Sequence, residues 1–202
     1  MITCDRNQPA HYKDEATGTF YPSVSQVLDV LYPDRFRYVD PHILGVAQDR
    51  GVRRHLLFGV LALWKAKLAP EPTIDPRDRE VAAGLLRWIY EHDVHPLRVE
   101  EPAINVKDGY GGCPDGQFLY GPKRLVLLPD LKTGVQDEAH RIQVQAYLRL
   151  PGYLNSQCLM DVYVDEQGTV REQVVNLSSI DWCWFLNGLG VVRGRLARGV
   201  AT

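Results

Sequence analysis

The chain has 202 residues, 45% of them hydrophobic, so it is long enough to bury a full core and a single domain is the expected count. Lys and Arg number 23 against 25 Asp and Glu, and the formal net charge of -2 excludes a global basic field for nucleic acid, although a local arginine-rich groove can still hold phosphates. No apolar run approaches the roughly twenty residues needed to span a bilayer, the start lacks the charged-then-apolar pattern of a signal peptide, and the four cysteines (Cys4, Cys113, Cys158, Cys183) form no C-x-x-C pair; the expectation is a cytoplasmic protein without membrane contact, disulfides or a zinc site.

Residues 1–20 are polar and poorly periodic, with a loose hairpin expected around Thr17-Gly18-Thr19. In YPSVSQVLDVLYP, Ser23 is placed to cap a helix and Gln26 to close a capping box, while Val24, Val27, Leu28 and Leu31 form an apolar stripe that ends at Pro33. Residues 41–68 read as one long helix whose expected core face is Leu44, Val52, Leu56, Leu57, Val60, Leu61 and Trp64. His55 lies one turn after Gly51 and one turn before Gly59. Glycine costs about 1 kcal/mol against alanine inside a helix, so two of them suggest that another backbone or a ligand comes close; a hydrogen-bonded histidine on a packed helix fits equally well. PEPTIDPRD is an internal loop in which Asp75 caps and Pro76 opens the next helix, with Val81, Leu85, Leu86, Trp88 and Ile89 as its buried side.

Residues 97–106 read as a strand carrying Glu100 and Glu101 on opposite faces, Asp108-Gly109 as a hairpin turn, and 117–120 as the end of the partner strand. Gly121-Pro122-Lys123-Arg124 then turns the chain into the apolar run 125–128 and on to Asp130, Leu131 and Lys132. Alternate residues of a strand share a face, so Asp130 and Lys132 point together while Leu131 points into the core. Pro129 has no N–H to donate and suggests an edge or a bulge. Asp115, on the strand before the turn, comes to face Asp130. Facing carboxylates repel, and the usual remedies are a raised pKa or a bound cation; with oxygen donors on offer the cation is Mg²⁺ or Mn²⁺.

Residues 138–150 form a helix with Gln143 and Tyr147 on one face and Arg141, Gln145 and Arg149 on a wetter stripe. Two further strands, 158–164 and 170–177, turn at Glu166-Gln167-Gly168, and a helix over 182–192 leads to a basic tail with Arg193, Arg195 and Arg198. Residues 1–95 are thus mainly helical, 96–177 hold the sheet and its helix, and 178–202 close the chain.

Pro114-Asp115 followed by Asp130-Leu131-Lys132 resembles the signature of the PD-(D/E)XK nuclease superfamily, and Gln143 with Tyr147 is similar to the Gln-x-x-x-Tyr pattern of its RecB-like exonuclease branch. Gly51 and His55 match the Gly-x-x-x-His spacing of that branch. The resemblance covers roughly residues 20–190. It implies an α/β, restriction-endonuclease-like fold, a mixed central sheet flanked by helices, with a helical N-terminal elaboration. It also implies hydrolysis of DNA phosphodiester bonds from strand ends, in recombination, repair or phage DNA metabolism, in a bacterial or phage-encoded protein that is free to be a homo-oligomer.

On this resemblance Asp115, Asp130 and the main-chain carbonyl of Leu131 bind Mg²⁺ or Mn²⁺, bordered by His55. Glu101 is preferred over Glu100 as a further acid, although solvated glutamates on an edge strand explain both. Lys132 orients the attacking water or shares the phosphate charge, with Gln143 near the metal water and Tyr147 behind it. Arg50, Arg53 and Arg54, beside His55, offer guanidinium groups for terminal phosphates unless they are the solvated side of an amphipathic helix, and Thr133 adds a further contact to DNA. The chain lacks the C-terminal cysteine trio that holds an iron-sulfur cluster in some relatives, so none is expected. A structure-specific endonuclease and an inactive DNA-binding protein on the same scaffold are the alternatives.

Overall fold

The computed structural model describes residues 1–134 and 136–200. The polar N-terminus forms three short strands, β1 (Ile2–Cys4), β2 (Tyr12–Asp14) and β3 (Thr19–Tyr21), in an antiparallel sheet of their own. The expected hairpin is present between β2 and β3, with a third strand added. α1 (Val24–Leu31) carries the capping box: the Gln26 N–H donates to Ser23 Oγ at 3.1 Å and the Ser23 N–H to Gln26 Oε1 at 2.9 Å.

The long helix α2 (Pro41–Lys65) starts behind Asp40, whose carboxylate accepts from the His42 and Ile43 N–H groups, and ends three residues before the expected boundary. Its buried face is also rotated from the expectation. Arg54, Phe58, Leu61 and Ala62 are buried, whereas Val52 and Leu56 are exposed. Asp75 caps a 3₁₀ turn (Pro76–Asp78) that leads into α3 (Arg79–Glu91), and Val81, Leu85, Trp88 and Ile89 are buried there as expected.

The expected strand over 97–106 is broken in two. Glu100 adopts φ +50°, a left-handed conformation unfavourable for a residue with a Cβ. It separates β4 (His95–Val99) from β5 (Ala103–Asn105), and the partner strand splits likewise into β6 (Tyr110–Gly112) and β7 (Gly116–Tyr120). β5 and β6 form a separate ribbon, while β4 and β7 join β8 (Leu125–Lys132), β9 (Cys158–Val164) and β10 (Val170–Val174) in a five-stranded sheet of order β10-β9-β8-β7-β4. β8 and β9 are parallel, joined through α4 (Glu138–Leu148); the other pairs are antiparallel, which makes the sheet mixed.

Helices cover both faces. Leu127 and Leu131 point into a core shared with α2 and α3, and Leu128 points into one shared with α1, α4 and α5 (Ser179–Ala197). Burying a Leu or Phe contributes about 1.5–3 kcal/mol, so a strand with both faces covered reads as a nearly continuous apolar run, as β8 and β9 do. No helix among the described residues is long and apolar enough to cross a membrane.

Pro129 lies inside the central strand and not on an edge or in a bulge. β7 pairs with β8 only through Phe118↔Leu127, so past Leu127 β8 is hydrogen-bonded to β9 alone. Backbone N–H groups alternate in direction along a strand, and the missing donor of Pro129 falls on the side that β7 has already left. The notch opened there is where the candidate site forms.

Candidate active site

Asp115 stands just before β7 and closes the notch with its side chain. The Leu131 N–H, which a neighbouring strand would otherwise accept, donates to Asp115 Oδ2 at 2.5 Å. One carboxylate thereby replaces a ladder hydrogen bond and fixes the distance between Asp115 and β8. Its other oxygen, Oδ1, lies 2.6 Å from His55 Nδ1. Gly59 makes room for this approach: a Cβ on it would come within 2.5 Å of Val99 Cγ1, so glycine lets α2 pack directly onto the end of β4 and hold His55 over the notch. Gly51 faces only the Thr133 hydroxyl, 3.9 Å from where a Cβ would stand.

On β8, Leu131 is fully buried, and Asp130 and Lys132 share the opposite face, as period-two alternation requires. Lys132 Nζ is 2.6 Å from Asp130 Oδ2 and donates to Gln143 Oε1 at 2.7 Å, and Gln143 Nε2 donates to the Tyr147 hydroxyl at 3.0 Å. The Tyr147 ring packs against Gly112, where a Cβ would stand 2.8 Å from its Cε1. His55, Asp115, Asp130, Lys132, Gln143 and Tyr147 therefore form one chain of contacts drawn from α2, the bend before β7, β8 and α4. Gln145, expected on the wetter stripe, is instead buried and hydrogen-bonded to Asp181 and to the Ser178 N–H.

Burial works against the charge of both acids, and their partners decide the outcome. For Asp115 burial acts upward, but the charge of His55, its hydrogen bond and that of the Leu131 N–H outweigh it, and the carboxyl is held below its ordinary value. Asp130 moves up, because burial dominates and the repulsion of Asp115 adds to it, while Lys132 offsets only part. Burial would lower His55, yet the charge of Asp115 wins and raises it. His55, Asp115 and Asp130 each offer a ligand atom, and these atoms lie within 4.8 Å of one another. Two buried carboxylates and an imidazole at that spacing fit a divalent metal ion.

Other expected residues lie elsewhere. Glu101 is exposed and pairs with Arg98 at 2.7 Å. Glu100 is the acid that approaches the site, because its left-handed backbone turns the chain and exchanges the faces that a regular strand would have given the two glutamates. Its carboxyl, pushed up to about 7 by burial and by the charge of Asp115, accepts from Cys113 Sγ at 3.8 Å. Since the folded value exceeds the unfolded one, the stability tied to the protonated form is complete below the unfolded pKa and is lost as the pH rises through about 7. Glu100→Gln removes that loss. In chelator the variant is expected to melt higher than wild type at pH 8 and equally at pH 4; equal melting at pH 8 would show that Glu100 ionises without penalty.

The three arginines separate by burial. Arg54 is 1% exposed and spans Asp78 at 2.9 Å and Glu166 at 2.6 Å, tying α2 to the 3₁₀ turn and to the β9–β10 turn. It is committed to these two acids and is almost wholly removed from solvent. Arg53 pairs with Asp78 and Arg50 with Glu166 at 3.0 Å, and both keep about a third of their side chains exposed, at 33% and 36%. Thr133 follows Lys132 and lies beside Gly51.

Two groups were not anticipated. Asp161, in register with Asp130 on β9, is the only charge in a buried strand, and that break in an apolar run was its sequence signal. Tyr163 and His140 meet at 3.1 Å on the same face, and His140 Nε2 lies 3.0 Å from Arg35, which also pairs with Asp137 at the start of α4. Nothing local in the sequence joins residues more than a hundred positions apart.

No family model and no curated protein matches the sequence. Among solved structures, the chain is similar to an alkaline exonuclease (LHK-Exo) from Laribacter hongkongensis, at 14% identity over 89% of each chain with a TM-score of 0.49. It is also similar to SSO0001, at 14% identity over 85% of this chain and 74% of that one, with a TM-score of 0.42.

Proposed function

We propose that the chain is a divalent-metal-dependent deoxyribonuclease that digests DNA from its ends. The observation that carries this reading is the convergence of two buried, facing carboxylates with an imidazole on one side and a lysine on the other, at a notch in the sheet. Such a charge arrangement is costly to bury for structural reasons alone. Asp115, Asp130, His55 and the main-chain carbonyl of Leu131 would hold Mg²⁺ or Mn²⁺. Bound there, the ion lowers the pKa of a water and stabilises charge growing on a scissile phosphate.

The chain's own groups do the rest. Asp115 is locked by the Leu131 N–H and His55, so its position is set before substrate arrives. Lys132 is held by Asp130 and Gln143 with its amine at the edge of the acid pair, where it can orient the attacking water and share the negative charge of the phosphate. Tyr147 fixes Gln143 and so fixes the amine. Arg50 and Arg53 keep part of their guanidinium groups open near the same end of α2, with Thr133 opposite, and would meet the phosphates of a strand terminus. Glu101, exposed and paired with Arg98, has no part in holding metal.

The test compares linear duplex DNA with covalently closed circles of the same sequence, in Mg²⁺ or Mn²⁺ and in EDTA. Conversion of the linear form to mononucleotides or short products, with circles intact and EDTA abolishing the reaction, is the expected result. Equal cutting of both substrates favours a structure-specific endonuclease, and binding without cutting in either metal favours an inactive DNA-binding protein.

A further inference from the structure

The closing helix α5 is apolar on two opposite sides. Phe185, Leu189 and Val192 are buried in the core it shares with α1 and α4. On the other side Ile180, Cys183, Trp184, Asn187, Val191 and Gly194 follow the three- and four-residue spacing that an α-helix stacks into one stripe. Ile180 is 70% exposed, Trp184 53% and Val191 46%. A surface helix ordinarily turns charged and polar residues outward, yet this stripe carries one polar side chain, Asn187, and no charge before Arg198. The Trp184 indole contacts no other ring, and its N–H donates to no acceptor among the described residues.

The glycines of α5 divide in the same way. Gly188, on the inner side, leaves room for α1: a Cβ there would come within 2.8 Å of Leu31 Cγ. Gly190 faces outward, and a Cβ on it would meet nothing within 4 Å; one on Gly194 would meet only the Arg198 guanidinium, at 3.6 Å. Glycine weakens a helix interior, and within the chain nothing compensates for it at either position. A second helix crossing this face would, because a missing Cβ lets another backbone come close. Charge indicates which helix that is. Val174 and Leu177, both exposed, extend the apolar patch past the start of α5, in a lining that also holds Glu138 and Asp181. At the other end stand Arg195 and Arg198, which, like Glu138, form no ion pair among the described residues. The patch is acidic where the helix begins and basic where it ends, so it is complementary to itself reversed.

We propose that this face pairs two copies of the chain, with α5 packed antiparallel on α5 about a two-fold axis at the level of Asn187 and Gly188. In such an arrangement each contact occurs twice. Trp184 of one copy meets Val191 of the other, because the two stand equally far from the axis on either side. Ile180 meets the turn of helix at Gly194 and Arg195, and the arginines reach the Glu138 end of the second copy. Asn187 meets its own equivalent, so the single polar side chain of the stripe finds a hydrogen-bond partner and sets the register, as a lone asparagine does between paired helices. A parallel pairing would instead set the arginines against each other. The stripe shares no residue with the proposed metal site, so the dimer stands or falls independently of the proposed function.

The test is sedimentation velocity of the full chain over a concentration series, with circular dichroism to report folding. Wild type is expected to sediment at twice the chain mass of 22.9 kDa. Trp184→Glu and Ile180→Glu each place a charge on the stripe and are each expected to sediment at 22.9 kDa with the dichroism unchanged. Both positions are exposed, and if one variant fails to fold the other decides. A wild type that stays monomeric up to about 100 μM, where a complex of micromolar affinity is nearly full, overturns the dimer. So does a trimer, or a dimer that survives either substitution. Binding of a monomeric wild type to phosphatidylserine vesicles, lost in Trp184→Glu, would assign the stripe to a lipid surface instead.

Discussion

Lys132→Ala is expected to lower DNA cleavage by at least about a hundredfold, the scale on which loss of one electrostatic stabiliser acts. Among the described residues the amine is the one cation paired with Asp130, at 2.6 Å, and Gln143 holds it in place. Its removal has a second effect that strand alternation alone does not foretell. Alternation suggests an amine pointing at solvent and substrate, so that its loss leaves stability untouched. The structure instead buries Lys132 to 8% exposure, between Asp130 and α4. Without it, Asp130 keeps its burial and the repulsion of Asp115 but loses its neutralising partner, so the metal-free variant should melt below wild type, and a divalent ion should restore part of the difference. Rates on linear DNA and melting curves with and without Mn²⁺ check both halves. Undiminished cleavage would remove Lys132 from the chemistry; unchanged melting in chelator would show that its pairing with Asp130 contributes nothing to the fold.

Arg54→Met is expected to produce the larger loss of stability. The methionine keeps most of the side-chain volume but leaves Asp78, itself 1% exposed, with only Arg53, and Glu166 with only Arg50. Breaking a buried ion pair by removing one partner costs about 3–5 kcal/mol, and for a chain of this length each kcal/mol shifts the melting point by about 2–4 °C. A fall on the order of 10 °C follows. Arg50→Met, whose guanidinium is partly exposed, should melt close to wild type and bind DNA more weakly. If Arg54→Met melts within about 2 °C of wild type and loses DNA affinity instead, the arginine contacts substrate and the buried network is not what holds α2 in place.

The contrast between these two residues marks the limit of what the sequence alone specifies. Lys132 and Arg54 are both cations beside candidate site residues, and each carries a local pattern that favours a functional reading. For Lys132 the local pattern suffices: a strand has period two, so Asp130 and Lys132 must share a face whatever the rest of the chain does. The same holds for Gln143 and Tyr147, which an α-helix stacks one turn apart, and for the Ser23–Gln26 capping box, which closes within four residues. The helices α1 to α4, the hairpin turn at Gly121-Pro122-Lys123-Arg124 and the strands β8 to β10 follow from such short-range rules.

Tertiary structure decided the rest, because those features depend on which distant surface each element meets. The buried side of α2 is chosen by α3 and the sheet, which exposes Val52 and Leu56 and buries Arg54 where Asp78 and Glu166 can pair with it. Glu100 and not Glu101 reaches the site because a left-handed residue breaks the strand, and a regular alternation carries no sign of where it will fail. Pro129 is tolerated in the middle of the sheet because β7 departs two residues earlier. Asp161 comes beside Asp130 only through the parallel β8–β9 register, set by the α4 crossover between them. Periodicity is a property of a few consecutive residues and is written in them; the choice of partner across the fold is settled by the joint packing of both cores.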